Sequence, residues 1–270
     1  MSTLTSTGGV QPRSKLYWAL ADGWVLARRN LVQIPRIPEL LVFATIQPVM
    51  FVLLFRYVFG GAIDVGGESY VNYLMAGIFV QTVAFGAVST GIGLSEDLHK
   101  GLVDRFRSLP MSRSAVLTGR TIADLVRNLF VVLVMVVVGL LIGFRPEAGL
   151  AGWAGAIGLL LLLSFSFSWI GATIALLMRS TEAVQSAGFI WLFPLTFASS
   201  AFVMTNNMPG VLKAFANHQP MTQVIDAVRG FLLDQPLDSH GWQALAWCVG
   251  ILVVFIPLSV SLYRRVAAAR

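Results

Sequence analysis

Charged residues are scarce in this 270-residue chain, and their scarcity excludes most soluble folds. Asp, Glu, Lys and Arg together make up 12% of the residues, whereas soluble domains average about 25%. Hydrophobic residues make up 56%, and the mean hydropathy is +0.76. So little polar surface cannot cover so large an apolar core in water. The composition therefore predicts an integral membrane protein.

Cysteine is almost absent, which excludes a disulfide framework and a cysteine-based metal cluster. The single cysteine, Cys248, lies inside an apolar run, where a small buried hydrophobe is expected. The three histidines, His99, His218 and His240, are far apart in sequence and are predicted to divide between the two sides of the membrane. We expect no metal and no cofactor to be bound by this chain.

Energy-coupling motifs are also missing. None of the three lysines follows a Gly-rich turn and precedes Ser or Thr, so the chain lacks a P-loop for ATP. The HExxH and GxSxG signatures of zinc proteases and serine hydrolases do not occur. Charged residues avoid the middle of the apolar runs, although a proton or ion relay needs titratable groups there. The sequence therefore predicts a membrane protein that has no energy source of its own.

Long apolar runs, in contrast, dominate the chain. A helix needs about 20 apolar residues to cross the hydrocarbon core of a bilayer. Six stretches meet this requirement, and Pro194 is expected to kink the fifth. They are Leu40–Phe59, Tyr70–Ser95, Ile122–Phe144, Trp153–Met178, Ala183–Met204 and Gln243–Tyr263.

The basic residues predict the orientation of these spans. With six spans both termini lie on one side, and that side receives 15 of the 19 Lys and Arg residues. Only Arg56, Arg145, Lys213 and Arg229 fall on the other side. Because positive charge is concentrated in cytoplasmic segments, both termini are predicted to be cytoplasmic. The predicted organisation is a disordered tail at 1–13, an interfacial helix at 14–38, one six-span domain at 39–265 and a tail at 266–270.

A charged segment between the second and third spans is the most informative part of the chain. Residues 96–113 read EDLHKGLVDRFRSLPMSR, and the apolar residues recur at helical spacing on one face. This pattern predicts a short amphipathic helix on the cytoplasmic surface. One interpretation is a surface that contacts a soluble partner, and the other is a helix that only lies on lipid headgroups.

The segment before the last span predicts a second short helix, on the outer side. Pro220 precedes an apolar stripe that runs from Met221 to Leu232 and is too short to span a bilayer. The stripe indicates a helix that dips into the outer interface, either as a gate over a pathway or as a cap on the bundle. Asp226 and Arg229 are spaced to pair on one face of this helix.

Neutral polar and aromatic residues inside the spans form a third group. They are interpreted either as interhelical hydrogen-bonding and packing groups or as the lining of a path for an amphiphilic molecule. The candidates for a path are Gln47, Asn72, Gln81, Ser164, Ser168 and Phe193.

Two motifs resemble the permeases of type-2 ABC exporters, most closely the daunorubicin-resistance branch. The first is the segment from Glu96 to Arg113, continued by Arg120, Asp124 and Arg127. The second is the NHQPMT segment at 217–222, followed by Asp226 and Arg229. With the order of the six spans, the resemblance extends from about residue 16 to residue 265.

The resemblance implies an all-α membrane subunit that exports hydrophobic drugs or lipids across a bacterial cell membrane. Its implied partners are two copies of an ABC ATPase, which would bind ATP and Mg²⁺, and a second permease copy in a homodimer; nucleic acid is not an expected partner. The residues implied to couple to the ATPase are Asp97, Leu98, Lys100, Gly101, Leu102, Asp104, Arg105, Phe106 and Leu109. The residues implied to form an outer gate are Asn217, Pro220, Thr222, Asp226 and Arg229.

Three alternatives remain open at this stage. Relatives that export polysaccharides share the same architecture, so the cargo is not fixed. A membrane-embedded enzyme that modifies lipid would use Asp226, His218 and His240 near the outer surface, although their spacing matches no acid–base motif. A structural assembly subunit would neither transport nor catalyse.

Overall fold

The chain is all-helical wherever its structure is described. The computed structural model describes residues 38–63, 65, 69–99 and 115–269, and these ranges contain α-helices without strands. The helices are α1 (Pro38–Leu54), α2 (Tyr70–His99), α3 (Ala115–Leu141), α4 (Leu150–Leu177), α5 (Thr181–Phe197), α6 (Gly210–His218), α7 (Pro220–Leu232) and α8 (His240–Ala269). A π-helical turn, Phe55–Phe59, extends α1, and a 3₁₀ turn, Thr205–Asn207, precedes α6.

Four of these helices are long and apolar enough to cross a membrane. They are α2, α3, α4 and α8, and the shorter apolar helix Ala44–Phe59 corresponds to the first predicted span. The bounds of α8 exceed the predicted span by three residues at its start and six at its end. The prediction of a helical membrane protein is thus confirmed.

The helix α2 forms the centre of the bundle, because its neighbours cover most of its surface. It contacts α3, α4, α5 and α7, and its largest contact is with α4. Glycine makes the α2–α4 contact close: a Cβ atom on Gly171 would lie 2.1 Å from the backbone oxygen of Ala87. Small residues let membrane helices approach until their backbones touch.

The helix α5 ends seven residues before the predicted end of the fifth span. It continues through Pro194 to Phe197, and residues 198–204 form turns instead of helix. The amide of Gln219 donates to the carbonyl oxygens of Leu195 (2.9 Å) and Ala198 (3.2 Å). A side chain from a distant segment therefore satisfies the free carbonyls at this helix end. The prediction of helix up to Met204 was wrong because this contact is not local in sequence.

The predicted short helix before the last span is present as α7, and other helices cover most of it. Ten of its 13 residues are buried, including the polar residues Thr222, Gln223 and Arg229. It packs against α2, α4 and α8. The helix and its apolar stripe were therefore predicted correctly, and its position at the outer interface, as a gate or as a cap, stays a prediction.

The predicted N-terminal helix at 14–38 lies almost entirely outside the described residues. The same holds for most of the amphipathic segment, including Lys100, Gly101, Leu102, Asp104, Arg105, Phe106 and Leu109. These predictions stay predictions.

Candidate functional site: a cleft beside α2 and a polar cluster at α7

A cleft of about 210 Å³ opens between α1, α2, α3 and α5. Its polar lining includes three glutamine side chains, Gln47 on α1, Gln81 on α2 and Gln185 on α5. Arg127 and Asn128 contribute from α3. Four helices thus bring amide groups from distant parts of the sequence to one apolar depression.

Glycine at position 86 is what lets the polar residues of α3 reach α2. A Cβ atom there would lie 2.5 Å from Nδ2 of Asn128, so any larger residue would displace this amide. Asn128 donates from Nδ2 to Oγ of Ser164 at 2.7 Å. Arg127 pairs with Asp124 at 3.2 Å and donates to the carbonyl oxygen of Gly86 at 3.4 Å. The charge of Arg127 is therefore balanced beside the cleft.

Gln81 lines this cleft and has a hydrogen-bond donor that is not used within the described part of the chain. The residue is 5% exposed, and its Nε2 is buried and has no hydrogen-bond partner among the described residues. An unsatisfied buried donor costs about 1–3 kcal/mol, so most are eliminated from folded proteins. A molecule with an oxygen acceptor that entered the cleft would satisfy Nε2 of Gln81 once the amide rotated toward it.

Phenylalanine rings form the apolar part of the cleft and continue beyond it. Phe85 and Phe189 line the cleft, and both contact Phe193, at ring-centroid distances of 5.6 and 5.4 Å. The row continues through Phe197 and Phe202 to Phe55, whose ring lies 4.3 Å from that of Phe202. Phe193 and Phe197 are each 43% exposed. A continuous aromatic surface therefore leads from the cleft along α5.

The six path residues predicted from sequence separate into two groups. Gln47 and Gln81 line the cleft, and Phe193 lies in the adjoining aromatic row. The other three hold parts of the fold together instead. Asn72 exchanges hydrogen bonds with the backbone of Arg145 in the α3–α4 connection, Ser164 accepts from Asn128, and Ser168 bonds with Thr90 at 3.3 Å. For Ser164 and Ser168, the contacts support the interpretation as interhelical hydrogen bonding, whereas Asn72 joins α2 to a loop.

A second polar cluster surrounds the α7 pair that the sequence predicted. Arg229 Nη1 lies 2.6 Å from Oδ1 of Asp226, and the guanidinium stands 3.7 Å from the ring centroid of Tyr73. Nη2 donates to the carbonyl oxygens of Ser200 (2.9 Å) and Tyr73 (3.3 Å). Oγ of Ser200 donates to the same carboxylate oxygen at 2.7 Å. This α7 cluster ties α7 to α2 and to the turn that follows α5.

The other predicted gate residues extend this cluster. Oγ1 of Thr222 accepts from the backbone N–H of Ser200 at 3.3 Å. Pro220 is the first residue of α7, where its missing N–H is harmless. The carbonyl of Asn217 accepts from the Gln223 side chain, whose Oε1 is 2.7 Å from Nδ1 of His240. All five predicted gate residues therefore lie at one end of the bundle.

The described part of the predicted coupling segment faces the bundle. Asp97 Oδ2 lies 2.7 Å from Nη1 of Arg120 on α3. Leu98 is 5% exposed and belongs to an apolar cluster with Trp169 and Tyr263. In this conformation neither residue presents its side chain as a free docking surface.

The histidines and the aspartate proposed for a lipid-modifying enzyme each contact other groups. Nδ1 of His218 binds the carbonyl of Ala214 at 2.8 Å, and Asp226 binds Arg229 and Ser200. Among the described residues, no cluster of three or more His, Cys, Asp or Glu side chains is arranged to hold a metal ion. These contacts do not assemble an acid–base site.

Sequence reasoning missed several residues of both sites. Asn128 and Phe85 in the cleft, and Tyr73 in the α7 cluster, were not predicted. The polar residues Asp124 and Asn128 share a face with the buried Val131, and this spacing was a signal that α3 places polar groups inside the bundle. No local signal identifies the roles of Tyr73 and Ser200, because their carbonyls, the Tyr73 ring and the Ser200 hydroxyl all contact residues of α7, which is distant in sequence.

Comparison with known proteins identifies the family of this chain. Residues 22–233 match the model of the ABC-2 type transporter family. The chain is 36% identical over 244 residues to the daunorubicin resistance ABC transporter permease protein DrrB1 of Streptomyces coeruleorubidus, covering 88% of this chain and 84% of that protein. It is 29% identical over 269 residues to the probable doxorubicin resistance ABC transporter permease protein DrrC of Mycobacterium tuberculosis, covering 97% and 94%.

A more distant relative is the putative transport permease ycf38 of Porphyra purpurea, 23% identical over 222 residues, which cover 81% of this chain and 76% of that protein. The family match and the relative at 36% identity each cover most of the chain. Together with the long apolar helices, they establish that this multi-pass membrane protein is a permease of the ABC-2 type transporter family.

Proposed function

We propose that this permease exports hydrophobic drugs or lipids from a bacterial cell and is driven by a separate ABC ATPase. The observation that carries the proposal is the cleft beside α2, where phenylalanine rings and an unpaired amide donor lie together. Such a lining suits an apolar molecule that carries a few oxygen acceptors. Two relatives are named for resistance to daunorubicin and to doxorubicin, and these names support the same class of cargo.

The alternative cargoes have less support. A polysaccharide is long and fully hydroxylated, whereas this cleft holds about 210 Å³ and is walled largely by apolar groups. Lipid modification would need assembled catalytic groups, and the contacts of His218, His240 and Asp226 are separate. A lipid remains within the proposed class of hydrophobic cargo.

The proposed topology has six spans with both termini in the cytoplasm. The helical segment from residue 38 to residue 59 has a length of about 33 Å at 1.5 Å per residue, sufficient for the hydrocarbon core. The helix α5 alone covers about 26 Å by the same measure, and α6 and α7 would complete the bundle on the outer side. There the α7 cluster would serve as the outer gate, because it fastens the turn after α5 to α2.

Association with an ATPase is the first test of this function. We expect an ABC ATPase to co-purify with the chain and to be lost when Phe106 and Leu109 are both changed to Asp. The change places charge on the apolar face of the 96–109 segment, which would cost several kcal/mol in a docking surface.

The matched control is Val211→Asp, on α6 at the opposite end of the bundle. Val211 is 89% exposed, so this variant introduces a charge on an apolar site without disturbing the core. It should retain the ATPase. Undiminished binding in the Phe106 and Leu109 variant would contradict the proposed docking segment.

Gln81→Met is expected to separate stability from transport. The thioether has nearly the shape of the amide but lacks the unpaired donor, so the melting temperature should rise, by an amount that corresponds to about 1 kcal/mol. Transport of daunorubicin into inside-out vesicles should fall, because the oxygen acceptor of the cargo loses its partner.

The control for this prediction is Gln243→Met, an exposed glutamine near the start of α8. This variant should change neither the melting temperature nor the transport of daunorubicin. Transport by Gln81→Met at the rate of the unmodified protein would show that the cleft does not bind the cargo.

A further inference from the structure

An ion pair joins the end of α2 to α3 across residues 100–114 of the sequence. Asp97 lies at the end of α2, before residues 100–114, and Arg120 lies on α3, after them. Their side chains form an ion pair at 2.7 Å, and their exposed fractions are only 17% and 20%. The ion pair therefore fastens the end of α2 to α3.

Glycine fixes the position of the arginine in this pair. A Cβ atom on Gly93 would lie 1.4 Å from Nη2 and 2.4 Å from Cζ of Arg120. The guanidinium thus occupies the space that a side chain at position 93 would fill. It lies next to the backbone of α2 one turn before Asp97, so two positions of α2 hold it.

A histidine joins the same end of α2 to the turn between α4 and α5. Nε2 of His99 is 2.9 Å from the carbonyl oxygen of Arg179, and Nδ1 is 2.7 Å from the carbonyl oxygen of Ser95. Next to it, Leu98 is buried among residues of α4 and α8. The end of α2 is therefore attached to α3, α4 and α8 and to the start of α5.

We propose that Asp97, Arg120 and Gly93 form a positioning joint that converts movement of the 96–109 segment into a common movement of α2 and α3. The inference rests on the proposed function, since it requires an ATPase that moves this segment. It also changes the role of Asp97, which acts through Arg120 and not by touching the ATPase. Because both α2 and α3 line the cleft, the joint connects the motor to the wall of the cargo site.

The joint is expected to matter for coupling more than for folding. A single ion pair that is partly exposed makes a small contribution to total stability. Its loss would instead let α2 and α3 move independently when the segment between them is pushed. The ATPase would then still bind and hydrolyse ATP, while fewer cargo molecules would be moved for each ATP consumed.

The test uses the full chain purified with its ATPase and reconstituted in liposomes. ATP hydrolysis and daunorubicin transport are measured together, and their ratio is compared between variants. We expect Arg120→Gln to retain the ATPase and its hydrolysis rate but to lower transport per ATP about fivefold or more, the range of typical coupling between sites. Arg120→Lys should recover part of this loss.

Gly93→Ala provides a second route to the same defect without changing any charge. The new methyl group displaces the guanidinium from Asp97, so transport per ATP should fall as in Arg120→Gln. This variant decides the question if Arg120→Gln does not fold. The charge-exchanged double variant, Asp97→Arg with Arg120→Asp, should transport better than either single change.

Each variant has a matched control: Arg179→Gln for Arg120→Gln, and Gly158→Ala for Gly93→Ala. Arg179→Gln removes a positive charge near the same end of the bundle but leaves the carbonyl that binds His99, and Gly158→Ala adds a methyl group where no atom lies within 4 Å. Both should couple normally. Equal transport per ATP in Gly93→Ala and Gly158→Ala would overturn the joint, whereas failure of the unmodified chain to bind an ATPase would overturn the proposed function and the joint with it.

Discussion

Replacing Arg229 with alanine is expected to lower the melting temperature of the purified protein more than any other single charge removal in the described bundle. The change leaves the carboxylate of Asp226 without its cation and removes two hydrogen bonds to backbone carbonyls and the contact with Tyr73. Breaking a buried pair by removing one partner costs about 3–5 kcal/mol. For a chain of this size, a loss of 3 kcal/mol corresponds to roughly 6–12 °C.

The measurement is thermal unfolding in detergent, followed by tryptophan fluorescence. Arg265→Ala, an exposed arginine near the end of α8, is the matched control and should melt near the unmodified protein. The melting temperature of Arg229→Lys should be intermediate. Lysine keeps the charge, but its ammonium group lacks the planar guanidinium geometry that contacts two carbonyls and a carboxylate at once. An Arg229→Ala variant as stable as Arg265→Ala would show that the α7 cluster does not hold the bundle together.

Gly171→Ala is expected to be the most damaging small substitution in α4. The new Cβ atom would lie 2.1 Å from the carbonyl oxygen of Ala87 and 3.4 Å from the backbone nitrogen of Gly91. Both obstacles are backbone atoms of α2, so no side chain can move aside and the two helices must separate. Overpacking typically costs about 1–3 kcal/mol, and a clash between backbones belongs at the upper end of that range.

The control on the same helix reverses the sign of the effect. At Gly158 a methyl group meets nothing within 4 Å, and alanine is the better helix former by about 0.5–1 kcal/mol. Gly158→Ala should therefore melt at the temperature of the unmodified protein or above it, while Gly171→Ala melts below. Similar melting temperatures in the two variants would contradict the close α2–α4 contact.

The parts of the fold that the sequence predicted well depend on local patterns. Each predicted span contains a helix because about 20 apolar residues in series have no other low-energy conformation in lipid. The helix α7 begins at the predicted proline, and its Asp226–Arg229 pair follows from a spacing of three residues. These features require no knowledge of neighbouring helices.

The candidate site was predicted only in part, because a polar residue within a span has two uses. Gln81 faces the cleft with an unused donor, whereas Ser164 and Ser168 bond to neighbouring helices. Their sequence surroundings are similarly apolar. The difference arises from the rotation of α2 and α4 about their axes, which the close contact at Gly171 fixes.

The same reason explains the role that we propose for Asp97. On the sequence it lies on the polar face of an amphipathic segment, where docking to a partner was the natural interpretation. In the structure it turns inward, because Gly93 leaves a space in which Arg120 from α3 fits. Two residues separated by 22 intervening positions meet only after α2 and α3 have packed.

The amino-acid sequence alone determined that this protein is a helical membrane protein, where its apolar helices lie and which segments carry the positive charge. Hydropathy and charge are properties of each segment by itself, so a bilayer sorts the segments before they contact one another. Only the tertiary structure decided which polar groups stay unpaired in the cleft, which lock the end of α7 and which join α2 to α3. Those pairings depend on how closely the helices approach and how far each is rotated, and backbone contact at a few glycines sets both.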